Sequence, residues 1–139
     1  MKFKAVGLAS IAVTICAIPA VAHHSFAMFD AEKSFIVEGT VKEFQWTNPH
    51  SWIHVMVPDS AGKPVQWSIE LGAPAGLVRQ GWVPKTLTPG MDVKVLIHPL
   101  RDGNPGGQFL QVTLPDGKKF GDPSTRGVRP APAAEPPAP

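Results

Sequence analysis

Apolar and polar side chains alternate along several separate stretches of this chain, and such alternation marks strands that turn one face toward a core. In residues 52–57, Ile53, Val55 and Val57 share one face, while Trp52, His54 and Met56 share the other. Residues 65–71 repeat the pattern, with Val65, Trp67, Ile69 and Leu71 inward and Gln66, Ser68 and Glu70 on an open face. Residues 91–97 place Met91, Val93, Val95 and Ile97 inward, and residues 109–114 form a last short strand. Residues 35–46 make a longer run of β-branched and aromatic residues that Gly39 interrupts. A lone glycine in a strand signals a bulge or a tight bend, as where a barrel strand turns its corner.

Turn chemistry separates these runs at Thr47-Asn48-Pro49, at residues 58–62, at Thr88-Pro89-Gly90 and at Asp116-Gly117, with a Gly/Asn/Pro loop over residues 101–107. Residues 73–82 predict the one helix. Pro74 suits a first turn, Leu77, Val78 and Trp82 recur at near-helical spacing, and Gly81 marks the end. The order is three strands, a helix and two strands. That is the order of a mainly β, small five-stranded OB-like barrel, with one helix between strands 3 and 4. An open β-sandwich and a helix-capped half-barrel are the alternatives.

The amino terminus reads as a cleaved signal peptide. Lys2 and Lys4 form a basic start, an apolar stretch follows to Pro19, and Ala20-Val21-Ala22 offers small residues at a cleavage point. Cleavage there leaves 117 of the 139 residues and makes His23 the first. The expected organisation is a signal peptide over 1–22, one β-barrel domain over 23–120 and a Pro/Ala-rich disordered tail over 121–139. The mature chain is expected to be periplasmic or secreted, with no transmembrane anchor. The chain's one cysteine, Cys16, lies in the discarded segment, which excludes disulfides and cysteine-ligated zinc from the mature protein. Residues 23–139 hold 11 basic and 11 acidic side chains, so no electrostatic footprint for nucleic acid is present.

Several short motifs taken together resemble a known family. They are His23-His24-Ser25-Phe26 with Phe29-Asp30, Gly39-Thr40-Val41, Trp46-Thr47-Asn48-Pro49-His50, Trp67-Ser68-Ile69-Glu70-Leu71, Gly81-Trp82, Pro89-Gly90 and Arg101-Asp102-Gly103. The chain resembles the small exported bacterial proteins of domain-of-unknown-function family 6152. The resemblance implies an exported β-rich domain, and it brings no activity, substrate, cofactor or site residue with it.

The candidate chemistry therefore rests on the residues themselves. A first-position histidine offers both an imidazole and an α-amine to a metal, and nitrogen ligands in a planar array favour Cu(II). The expected copper or divalent-metal site uses His23 as a bidentate anchor, with His24, His50 and His54 as completing ligands. Met56 is a possible soft ligand, and Glu70 and Trp52 are possible contributors to the cleft. On a straight strand His50 and His54 would stand roughly 13 Å apart, too far for one ion to bridge, so His50 would have to curl back in the turn. The alternative is an adaptor for a protein partner or a glycan in the cell envelope, with Trp52 on the open face as a stacking surface. No enzyme is expected. Glu43, Glu70 and Asp102 lack a paired spacing, and Ser25 and Ser51 only neighbour His24 and His50 in sequence. Arg101-Asp102-Gly103 reads as a turn that would let Arg101 reach Glu70.

Overall fold

A computed structural model describes residues 26–123. The cleavage point, His23, His24, Cys16 and residues 124–139 lie outside the described residues. The elements are β1 (Phe35–Gln45), β2 (Trp52–Pro58), β3 (Pro64–Glu70), α1 (Pro74–Arg79), β4 (Asp92–Pro99), β5 (Gly106–Thr113) and β6 (Lys119–Phe120). The sheet runs β3-β2-β1-β4-β5-β6, and an additional parallel pairing of β3 with β5 closes five strands into a barrel. The expected mainly β barrel, with its single helix between the third and fourth strands, is therefore the architecture of the described chain.

Closure depends on the first strand serving two neighbours. Phe35 to Thr40 pair with β4, and Thr40 to Gln45 pair with β2. Gly39 sits at this crossing. A Cβ there would overlap the Met56 carbonyl oxygen and come within 2.9 Å of a Val55 methyl. The glycine lies where the strand passes from one neighbour to the other, and what it permits is close approach of backbone. A separate β-bulge follows immediately. The register advances from Val41 opposite Val55 to Glu43 opposite His54, which leaves Lys42 as the extra residue.

The inward faces follow the alternation. Val37, Val41, Ile53, Val55, Ile69, Val95, Ile97 and Val112 are almost completely shielded from solvent. Trp67 is half-buried rather than central. It packs edge-on against Phe35, with ring centroids 5.8 Å apart. α1 is shorter than its pattern, because Gly81 adopts a left-handed φ of 83° and ends it. Leu77 is buried but Val78 is exposed, which corrects its expected place on the apolar stripe. Trp82 lies beyond the helix and is fully buried, with its ring 4.8–5.7 Å from those of Phe44, Phe109 and Phe120.

Two further differences each have a physical cause. The fifth strand begins at Gly106, inside the expected loop, and the two-residue β6 was not foreseen. Gly106 and Gly107 look like loop residues, but a Cβ on either would strike backbone: the Ser68 carbonyl oxygen at 2.9 Å for Gly106, the His98 carbonyl oxygen for Gly107. Bare backbone there lets β5 pair with β3 on one side and β4 on the other. β6 pairs Phe120 with Val112 after the Asp116-Gly117 turn, and its brevity leaves too little alternation to detect.

Residues before β1 are fastened to the barrel. A 3-10 turn, Phe26–Met28, leads to Phe29, which bridges to Leu100. The Arg101 amide donates to the Met28 carbonyl at 2.9 Å, and its Nε donates to the Ala27 carbonyl at 3.0 Å. Asp30 pairs with Lys33 at 3.2 Å and, more loosely, with Arg101 at 3.8 Å. Arg101 thus clamps the lead-in and does not meet Glu70. The Lys33 hydrogen bond holds the Asp30 carboxyl below the usual carboxylate range, outweighing the opposing effect of burial.

Two measurements test this account. Gly39→Ala is expected to cost about 1–3 kcal/mol in urea unfolding, the usual cost of overpacking. Gly72→Ala, where a Cβ meets nothing within 4 Å, should stay within about 0.5 kcal/mol of the parent. Because the folded state favours ionised Asp30, its contribution is present at neutral pH and disappears as acid carries the solution down through the carboxylate's folded titration. Asp30→Asn should therefore lower the melting temperature at pH 7, with the gap to the parent narrowing toward pH 3 and below.

Candidate functional site

The outer face of β1, β2 and β3 carries a compact group of polar side chains. Cross-strand register sets it: Trp52 faces Glu70, His54 faces Ser68, and Met56 faces Gln66. These residues project away from the core because Ile53, Val55 and Ile69 project into it. Trp52, His54, Met56, Gln66, Ser68 and Glu70 are all half-buried, unlike an ordinary solvated strand face.

His54 is the hub. Its Nδ1 lies 3.0 Å from the Ser68 hydroxyl and 3.4 Å from Gln66 Nε2, and its Nε2 lies 3.5 Å from Gln45 Oε1. Lys42 Nζ donates to Gln66 Oε1 at 2.6 Å. The bulge explains this arrangement, since two β1 residues, Lys42 and Glu43, stand opposite His54 where a regular ladder would offer one. Burial is the main influence on the His54 ring and holds its pKa below the usual histidine range. Glu43 pulls upward and Lys42 adds to the depression.

His50 sits just before β2, after the cis Asn48–Pro49 bond, and its Nδ1 pairs with Glu70 Oε1. The neighbouring backbone is tied to the far end of β3, through Ser51 N–H to Gly72 O at 3.1 Å and Leu71 N–H to Ser51 O at 2.9 Å. The four proposed imidazoles therefore divide. His50 is joined to Glu70, His54 is joined to Ser68 and Gln66, and His23 and His24 fall outside the described residues. Met56 lies on the same face as His54, two residues along β2. Among the described residues, no three His, Cys, Asp or Glu side chains converge as a metal-binding group. The remaining histidine, His98, is buried, and its Nδ1 lies 2.6 Å from the Lys33 carbonyl oxygen.

Sequence reasoning found the open face but missed Lys42, Gln45 and Gln66 as members of the group. Gln66 carried a signal, being on the same face as Ser68 and Glu70. Lys42 carried none, because a bulge moves its side chain out of the alternating order. Asp102 accepts from the Asn104 amide at 3.0 Å and from its side chain at 2.8 Å, so it builds the turn that its sequence context suggests.

Two clefts lie elsewhere. One of about 520 Å³ sits beside α1, over Leu77, Phe109 and Leu110. The other, of about 460 Å³, runs past Glu38, Asp92 and Lys94. Neither contains a histidine. Among the described residues, no helix is long and apolar enough to cross a membrane.

No curated protein and no solved structure matched the chain. A family model did match, over residues 11–109, which takes in β1 to β4 and the first half of β5. The chain belongs to DUF6152, a family of unknown function.

Proposed function

We propose that this protein is an exported, non-enzymatic binding module that takes a small polar ligand on the outer face of β1, β2 and β3. The observation that carries the reading is the half-buried group of imidazole, hydroxyl and carboxamide side chains beside Trp52. Five-stranded barrels of this strand order bind oligosaccharides and oligonucleotides on the face of their second and third strands. The balanced charge of residues 23–139 disfavours the nucleic acid. An indole with flanking amides and hydroxyls suits a neutral sugar, which offers an apolar ring face and many hydroxyl groups. The surroundings of the Ser68–His54 pair support the non-enzymatic reading. The second ring nitrogen faces the Gln45 carboxamide, where a carboxylate would stabilise an imidazolium.

A second reading is copper binding by the His23 amine and imidazole with His24 and either His50 or His54, with Met56 as a soft ligand. One observation favours it. The Ala27 carbonyl is held by Arg101, and the loop that follows Arg101 is bonded to β3 through Ser68 N–H to Pro105 O at 3.2 Å. Four residues span at most about 14 Å, and the reading requires that reach to bring His23 to His54.

Two titrations separate the readings. Cellotetraose or chitotetraose is expected to change tryptophan fluorescence saturably, and Trp52→Ala should weaken binding roughly tenfold. That equals about 1.4 kcal/mol, near the upper worth of one aromatic contact. The absence of saturable change with both sugars would refute the glycan reading. For copper, intact mass of the exported protein fixes its first residue, and Cu(II) is followed by electron paramagnetic resonance. A nitrogen-rich spectrum that is lost in the His23→Ala, His24→Ala double variant is the expected result. An identical spectrum in that variant would eliminate the terminal site.

A further inference from the structure

We propose that His54 is the orienting donor of this face: a one-way chain of hydrogen bonds from Lys42 holds it as the neutral Nε2–H tautomer, so the site selects a ligand that offers an oxygen lone pair. The ligand half of this proposal rests on the binding-module reading; the tautomer half does not.

Each link of the chain has one allowed direction. The Lys42 ammonium can only donate, so the Gln66 atom it meets at 2.6 Å must be the carboxamide oxygen. That fixes the Gln66 NH₂ group on the opposite side, where it meets Ser68 Oγ at 3.5 Å and His54 Nδ1 at 3.4 Å. An NH₂ group only donates, so His54 Nδ1 must present a lone pair. The Ser68 hydroxyl, 3.0 Å away, then points its proton at the same nitrogen. A proton on Nδ1 would set two donors against each other at the Gln66 contact. The neutral ring therefore carries its proton on Nε2.

The Nε2–H bond faces Gln45 Oε1 at 3.5 Å, the long limit of a hydrogen bond. The Lys42–Gln66 and Ser68–His54 links are shorter, at 2.6 and 3.0 Å, while the two Gln66 amide contacts are about as long. The relay thus begins at a cation, runs through half-buried groups that polarise one another, and ends at a donor whose own partner is weakly held. An incoming hydroxyl, carbonyl or carboxylate oxygen can replace Gln45 there without disturbing the rest. A metal ion meets the reverse situation. To bind at Nε2 it must send the proton to Nδ1, against the Gln66 NH₂ group and with the Ser68 hydroxyl turned round to accept.

The groups facing the ring are Lys42, Glu43 and Gln45 from β1, and Gln66 and Ser68 from β3, with Trp52 and Met56 flanking it on β2. Glu43 alone favours a charged ring, and burial together with Lys42 opposes it.

Long-range ¹H–¹⁵N correlation of the exported protein's imidazoles reads the tautomer, with His54→Gln used to assign the resonance. At pH 7.5 the expected spectrum shows unprotonated Nδ1 and protonated Nε2. Lys42→Met should move His54 toward the Nδ1–H form while the backbone amide spectrum stays folded. An Nδ1–H ring in the parent protein, or a tautomer indifferent to Lys42→Met, would overturn the relay. Saturating cellotetraose or chitotetraose should then shift the Nε2–H resonance. Sugar binding seen by fluorescence with Nε2–H unmoved would overturn the role as donor. If neither sugar binds, the glycan reading and the ligand half fall together, and the tautomer spectrum still decides the relay.

Discussion

The close passage of β1 at Gly39 is the constraint on which the rest depends. A strand that pairs with β4 over one half and with β2 over the other must pass close to both, and at Gly39 the space for a side chain is already filled by the Met56 carbonyl. Without that close passage β2 and β4 cannot both be neighbours of one strand, and the ring cannot close. Closure in turn removes exposed sheet edges over most of the barrel, which protects a small β domain from pairing with other chains.

The same strand also shapes the candidate face. Immediately after the bend, the bulge at Lys42 shifts the register by one and brings Lys42 and Glu43 together opposite His54. A regular ladder would have set one β1 side chain there and sent the next into the core. Opposite charges thus flank an imidazole that is itself partly withdrawn from water. Burial dominates the outcome, because taking a ring out of water penalises its charged form more than one exposed carboxylate rewards it. The polar face is therefore a product of the fold's curvature as much as of its residue types.

Most of the architecture was readable from period-two alternation, and the reasons for the exceptions are physical. Ile53, Val55 and Ile69 alternate cleanly because each lies on a strand with one wet face, and all three are fully buried. Gly106 and Gly107 were misread because glycine is ambiguous: the residue that loosens a loop also allows three strands to crowd together. Val78 was misplaced because six residues of helix are too few to define a stripe. At the site, Trp52, His54, Ser68 and Glu70 were placed correctly on the open face by parity alone. Parity breaks at a bulge, so Lys42 and its bond to Gln66 were invisible. The link between His50 and Glu70 needed the fold, since twenty residues separate them in sequence.

The motifs that carry the family resemblance acquire a shared logic once folded. Asp30 of the lead-in meets Arg101 of the β4–β5 loop. Ser68, in the middle of β3, meets His54 through its hydroxyl and gives its amide proton to the Pro105 carbonyl of that same loop. Glu70 meets His50, which follows Asn48-Pro49. Segments dispersed over some seventy residues therefore meet on one side of the barrel, around β3. Gly81-Trp82 serves a different purpose, ending α1 and sealing the core with an indole among three phenyl rings. A chain needing only a stable barrel could satisfy its core with Trp82 and the alternating aliphatics. The half-buried polar contacts around β3 cost desolvation and add little net stability. The binding role proposed for this side of the barrel accounts for that expense.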